Sequence, residues 1–143
     1  MKIYFSCSIT GGRQDQEIYK TITDVLTSAG HEVPTAHLAD SNVMDLEQSI
    51  SPQVIFLRDS RWVSECDALV AEATTPSHGV GYEIALALFL KKPVLCCYRK
   101  GSRVSKMLTG NTMPGFRQLV YGSIDELREG LATYLNTFQS MNG

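Results

Sequence analysis

No apolar run in this 143-residue chain approaches the roughly 20 residues that a helix needs to cross a bilayer, so no membrane span is expected. Basic clusters are missing too. Thirteen Lys and Arg stand against 15 Asp and Glu, for a formal net charge of -2 with the signs interspersed. That leaves no positive field for tracking a nucleic-acid backbone, and any phosphate must be bound locally. Cysteines number four, at positions 7, 66, 96 and 97, two of them adjacent within an apolar run. This spacing suits neither a disulfide framework nor a metal site and reads as reduced, packed thiols. The start, Met1-Lys2-Ile3, carries no charged-then-apolar leader and no small-residue cleavage site, which predicts a cytoplasmic protein, or a nuclear one in a eukaryote. Neither GxGxxG nor a Gly-Lys-Ser/Thr ending occurs, so no nicotinamide cofactor or nucleoside triphosphate is expected. Internal repeats and low-complexity tracts are absent, and no cofactor or metal is called for.

What is present suits one soluble globular domain, with 43% hydrophobic and 20% charged residues. The domain is expected over residues 1–139, with a flexible tail at 140–143. Lys2 to Ser8 is short, β-prone and followed by Thr10-Gly11-Gly12, a strand delivering a glycine turn. From about Gln14 to Ala29, the residues Ile18, Ile22, Val25 and Leu26 recur at helical spacing, and Gly30 sits where a C-terminal cap belongs. Glu32-Val33-Pro34-Thr35 suggests a second, shorter strand, and Asp40 to Gln53 reads as loop with one helical turn. A helix is expected over Val54–Cys66 and a doubly covered strand over Asp67–Ala73. A helix from about Gly81 to Leu90, a strand over Lys92–Tyr98 and a strand over Gln118–Tyr121 follow. A terminal helix over Ser123–Phe138 opens with the capping-box sequence Ser123-Ile124-Asp125-Glu126. The alternation predicts an α/β fold: a doubly wound, five-stranded parallel sheet with helices on both faces, Rossmann- or flavodoxin-like. In such sheets ligands bind beyond the C-terminal strand ends, which puts two strand-to-helix turns forward.

The first turn, Ser8-Ile9-Thr10-Gly11-Gly12-Arg13, has the glycines that let backbone N–H groups approach an anion at a helix N-terminus. Taken alone it is equally a simple tight turn. The second, Pro76-Ser77-His78-Gly79-Val80-Gly81-Tyr82-Glu83, places a carboxylate in the first turn of a helix. A helix-start Glu favoured by the macrodipole is the plain alternative. Asp59, ahead of Trp62, supplies a second carboxylate, and paired carboxylates are what glycosidic cleavage needs: one attacks the anomeric carbon, the other handles the leaving-group proton. By itself Asp59 is an ordinary surface residue. The residues alone lead to an α/β domain binding a nucleotide or sugar phosphate.

At these same positions the sequence resembles the 2'-deoxynucleoside 5'-phosphate N-hydrolases, relatives of the nucleoside 2-deoxyribosyltransferases. The resemblance rests on Tyr4 to Arg13, Asp59-Ser60-Arg61-Trp62, Asp67 to Glu72 and Pro76 to Glu83, in that order, followed by Lys92 to Cys96 and Arg103 to Met107. It implies a homodimeric hydrolase that releases the free base from a deoxynucleoside monophosphate. Glu83 would attack C1' to give a covalent intermediate, Asp59 would protonate the departing base and later activate water, and Tyr4 would orient Glu83. Ser8, Ser77, Gly11, Gly12 and Arg13 would hold the 5'-phosphate, with Ile9, Thr10, Gly79 and Met107 in the same substrate site. Ser105 would reach the phosphate across the dimer interface, and His37 would lie near the base. The chain departs from the family pattern at Thr10, where relatives often carry Arg, and at Cys7, which replaces a glycine. Three rivals remain at this stage: a nucleoside deoxyribosyltransferase, a ribonucleotide N-glycosidase of the CMP type, and a catalytically silent nucleotide-binding protein.

Overall fold

The computed structural model describes residues 1–9, 15–40 and 42–141, and of Met44 only the backbone. Strand β1 (Ile3–Ser6) leads to helix α1 (Gln16–Ser28), a 3₁₀ turn at Ala36–Ala39 and helices α2 (Val43–Gln48) and α3 (Pro52–Glu65). Then come β2 (Ala68–Glu72), α4 (His78–Phe89), β3 (Val94–Arg99), the short α5 (Lys106–Thr109), β4 (Phe116–Tyr121) and α6 (Ile124–Met141). The four strands are parallel, in the order β1-β2-β3-β4.

Side chains alternate across each strand, and the two faces bury separate sets. Ile3 and Phe5 join Val70, Leu95, Cys97, Ile22 and Leu26 of α1, and Leu127 and Leu131 of α6. Tyr4 joins Leu69, Ala71, Val94, Cys96, Val63 of α3, and Val80, Ile84 and Ala87 of α4. Helices therefore cover both faces, α1 and α6 on one and α3 and α4 on the other. Residues Tyr4 and Ser6 point toward α4. All four cysteines are buried and none forms a disulfide.

Four strands stand where five were expected. The segment beginning at Glu32 contributes only a single parallel bridge to Lys2, on the edge of β1 away from β2. The reason is local. Ile3 N–H donates to the Glu32 carbonyl and Glu32 N–H to that of Met1, each over no more than 2.9 Å, but the next ladder position fails because Pro34 has no N–H to give. The Thr35 hydroxyl takes over, accepting Phe5 N–H at 2.8 Å, and the chain turns into the 3₁₀ segment. Because that bridge lies on the outer edge of β1, the chain leaves β1 toward one side and returns as β2 on the other, a reversal in winding that opens a crevice at the β1 C-terminal end.

Other boundaries also move. Residues 43–48 form a helix rather than loop with one turn. Helix α4 starts at His78 because the Ser77 hydroxyl accepts Val80 N–H at 3.3 Å and caps it. Glu83 therefore lies in the second turn of α4, beyond the helix end where the macrodipole acts most strongly. Helix α1 ends as read: Gly30 adopts φ of +86°, with Gly30 N–H on the Thr27 carbonyl and His31 N–H on that of Leu26. At the far end α6 runs through Ser140 and Met141, residues assigned from sequence to the tail. The Ser140 hydroxyl bonds the carbonyls of Asn136 and Thr137, which carries the helix on. No helix of the described residues is long and apolar enough to cross a membrane.

Thr35 is only 1% exposed, so replacing it by Val strands a buried N–H. Thr35→Val is expected to cost about 1–3 kcal/mol in urea unfolding, whereas Thr35→Ser stays close to the parent.

Candidate active site

A cavity of about 400 Å³ opens at the β1 C-terminal end, lined by Tyr4, Cys7 and Ile9 from β1 and its turn, Leu38, Glu47, Gln48 and Ile50 from the crossover, Pro52, Ile55, Arg58 and Asp59 of α3, and Glu83 of α4. Glu83 is its centre. Tyr4 and Ser6, one strand repeat apart and on the same face, both reach its carboxyl: the Tyr4 phenol donates to Oε2, and the Ser6 hydroxyl donates to Oε1 at 3.1 Å. Burial pushes the Glu83 acid from its ordinary 4.5 up to about 8. No cation among the described residues neutralises it, so desolvation goes uncompensated by charge. The two hydroxyls are what receives the carboxylate when the proton leaves.

The second carboxylate has the opposite environment. Asp59 Oδ1 accepts from Arg58 Nε at 2.8 Å, and Arg58 Nη2 also bonds both oxygens of Glu47, at 3.1 and 3.2 Å. His37 Nε2 sits 2.9 Å from Glu47 Oε1. The guanidinium lies 4.8 Å above the Trp62 ring, which in turn packs edge-on against His37. One carboxyl is thus isolated among hydroxyls and apolar walls while the other is held by a guanidinium.

Of the residues singled out in the sequence, Tyr4, Ile9, Asp59 and Glu83 line this cavity together. Gly79 joins Asp59 and Glu83 in an adjoining cleft of about 170 Å³. His37 stands behind Glu47. Ser77, Ser105 and Met107 do not line it but a neighbouring cavity of about 320 Å³, with His78, Tyr82 and Arg103, and Tyr82 also lines the cleft beside Glu83. Ser8 is fully buried. Thr10, Gly11, Gly12 and Arg13 fall outside the described residues. Sequence reasoning missed Ser6, Glu47 and Arg58. Ser6 was within reach, since a strand places it on the same side as Tyr4. Arg58 is next to Asp59 in sequence, but Glu47 lies in a stretch without period and carries no signal of its own. Among the described residues no group of three or more His, Cys, Asp and Glu could hold a metal ion.

Residues 3–127 match the family model described as nucleoside 2-deoxyribosyltransferase. The 5-hydroxymethyl-dUMP N-hydrolase of Danio rerio is 38% identical over 96% of this chain and 97% of its own. The protein of that name from Rattus norvegicus is 42% identical over 76% of this chain and 68% of its own. A solved Clostridium botulinum CMP N-glycosidase shares the fold, with a TM-score of 0.71, 22% identity, and coverage of 94% of this chain and 99% of its own.

The unfolded Glu83 carboxyl ionises near its ordinary 4.5 but the folded one only near 8. Between those values unfolding releases a proton, so the stability this group has below about pH 4.5 drains away as pH rises to about 8. Glu83→Gln should therefore raise the melting temperature relative to the parent at pH 8 by more than at pH 5. An equal difference at both would show that the carboxyl is not held protonated.

Proposed function

The chain belongs to the nucleoside 2-deoxyribosyltransferase family, and from that we propose that it hydrolyses the N-glycosidic bond of 2'-deoxynucleoside 5'-monophosphates, giving free base and 2-deoxyribose 5-phosphate. The observation that carries this reading is the Glu83 carboxyl, bonded by two hydroxyls and sharing one cavity with Asp59. The relatives named for hydrolysis of a deoxynucleoside monophosphate support the substrate class.

In this mechanism the ionised form of Glu83, the minor form below about pH 8, attacks C1' as the bond to the base nitrogen breaks, and the electron pair leaves with the base, which takes a proton from Asp59. Tyr4 and Ser6 hold the attacking carboxylate in line. Water then adds to C1' of the glycosyl ester, gives its proton to Asp59 and frees Glu83 with the sugar phosphate. Two carboxyls and a water complete the chemistry without a cofactor. The apolar walls from Ile9, Leu38, Ile50 and Ile55 suit the faces of a base. Ser8, Ser77 and the first turn from Ile9 to Arg13 hold the 5'-phosphate, His37 supports the base end through Glu47, and Gly79 leaves room beside Glu83.

The working unit is a homodimer. Phe56, Tyr82, Phe89 and Met107 are 53%, 55%, 77% and 82% exposed. Phe56 and Tyr82 are in ring contact, Tyr82 and Phe89 share a face of α4 two helical turns apart, and Tyr82 and Met107 line one cavity, so the surface is continuous. A second copy covering it would carry Ser105 and Met107 toward the neighbouring site. Four cysteines without a disulfide suit a reducing compartment, and the protein is assigned to the cytoplasm or, in a eukaryote, the nucleus as well.

Glu83→Ala should abolish release of base from dGMP, followed by chromatography, while the protein still melts cooperatively; undiminished turnover would remove Glu83 from the chemistry. In the same assay, deoxyguanosine with free adenine should give no exchanged nucleoside, and exchange would assign a transferase. In sedimentation velocity the parent should run as a dimer and Phe89→Asp as a monomer, whereas a monomeric parent rejects the shared site.

A further inference from the structure

A second group of polar side chains lies at the C-terminal ends of β2, β3 and β4 and takes no part in the chemistry above. Asp15 stands at the N-cap of α1, where an Asp ordinarily bonds the helix's own N–H groups, yet it makes no such bond. Its side chain, only 4% exposed, is directed elsewhere: Oδ1 accepts from Arg99 Nη2 at 2.9 Å and Oδ2 from the Thr75 hydroxyl at 3.2 Å. The tie continues inward. Arg99 N–H donates to the Thr74 hydroxyl at 2.9 Å, Thr74 N–H to Glu72 Oε1 at 2.6 Å, and the Tyr121 phenol to Glu72 Oε2. Glu72 is fully buried.

The clamp therefore joins three elements at one carboxylate. Asp15 starts the helix that follows the first turn, Thr75 begins the loop that carries Ser77, and Arg99 ends β3. Those two turns are the ones assigned to the 5'-phosphate. A buried anion at the head of α1 would oppose an incoming phosphate dianion, and Arg99 offsets that charge while tying the start of α1 to the end of β3. We propose that Asp15, Arg99 and Thr75 are positioning residues for the phosphate site and thereby determine affinity for the monophosphate, an inference that rests on the hydrolase reading above. They touch neither the sugar nor the base in this scheme, so their effect is confined to phosphate.

Steady-state kinetics with dGMP on the purified full chain tests this, with inorganic phosphate and free guanine as competing inhibitors. Arg99→Gln should raise KM for dGMP and the inhibition constant of phosphate together, by about tenfold or more for one uncompensated charge near a dianion. The inhibition constant of guanine and kcat should stay within about twofold, the spread allowed for a substitution that spares the transition-state contacts. Adding Asp15→Asn to Arg99→Gln should recover most of the loss, because the uncompensated anion is gone. Should Arg99→Gln melt below the assay temperature, Thr75→Val removes one bond and no charge, and a rise in KM and in the phosphate constant alone again upholds the clamp. Unchanged KM, or an equal loss for phosphate and guanine, overturns it. Absence of any base release from dGMP by the parent overturns the hydrolase reading and the clamp with it.

Discussion

The cavity at the β1 C-terminal end is organised around one carboxyl group buried where burial is costly. Glu83 is set against β1 by the packing of α4 on one face of the sheet, and that packing deprives it of water without providing a cation. Desolvation favours the neutral acid, while the hydroxyls of Tyr4 and Ser6 favour the anion. A group held between those two tendencies has an under-solvated carboxylate, which is the property that the proposed attack on the anomeric carbon uses. Such placement lowers stability, which is the usual accompaniment of a functional site.

The contrast with Asp59 gives the site its asymmetry. Arg58 is shared by Asp59 and Glu47, rests on Trp62 and is backed by His37 through Glu47, so the second carboxyl stands in a dense polar network contributed by α2, α3 and the 3₁₀ turn. These elements all lie between β1 and β2, in the long crossover. The sheet supplies the rigid floor with Tyr4 and Ser6, and the crossover supplies the opposite wall of the cavity. Variation in the wall can reshape the cavity without disturbing the floor.

Legibility in the sequence followed regularity. Strands β1, β2 and β3 and helices α1, α3 and α6 were readable because apolar runs or helical spacing mark them, and Gly30 announced its cap through the left-handed geometry that only glycine takes without strain. The missing fifth strand was a contest between β-prone neighbours and Pro34, and the proline won because a ladder position needs an N–H. Helix α4 began early because a single serine cap outweighed two glycines that lower helix propensity. At the site, Glu83 and Asp59 could be named from the chemistry a glycosidic bond demands and from the family resemblance. Glu47 and Arg58 could not be paired in advance, since their meeting depends on how α2 folds back onto α3.

The central claim is that Glu83 forms a bond to the anomeric carbon. Mass spectrometry of the intact protein after prolonged incubation with a 2'-fluoro-2'-deoxyarabinonucleoside 5'-monophosphate addresses it directly, because fluorine beside C1' destabilises the cationic transition state by which water would release the glycosyl ester. The account predicts an added mass of one 2-fluoro-2-deoxyarabinosyl phosphate per chain, located by digestion on the peptide containing Glu83. Turnover with no adduct, or an adduct on a peptide lacking Glu83, would contradict it.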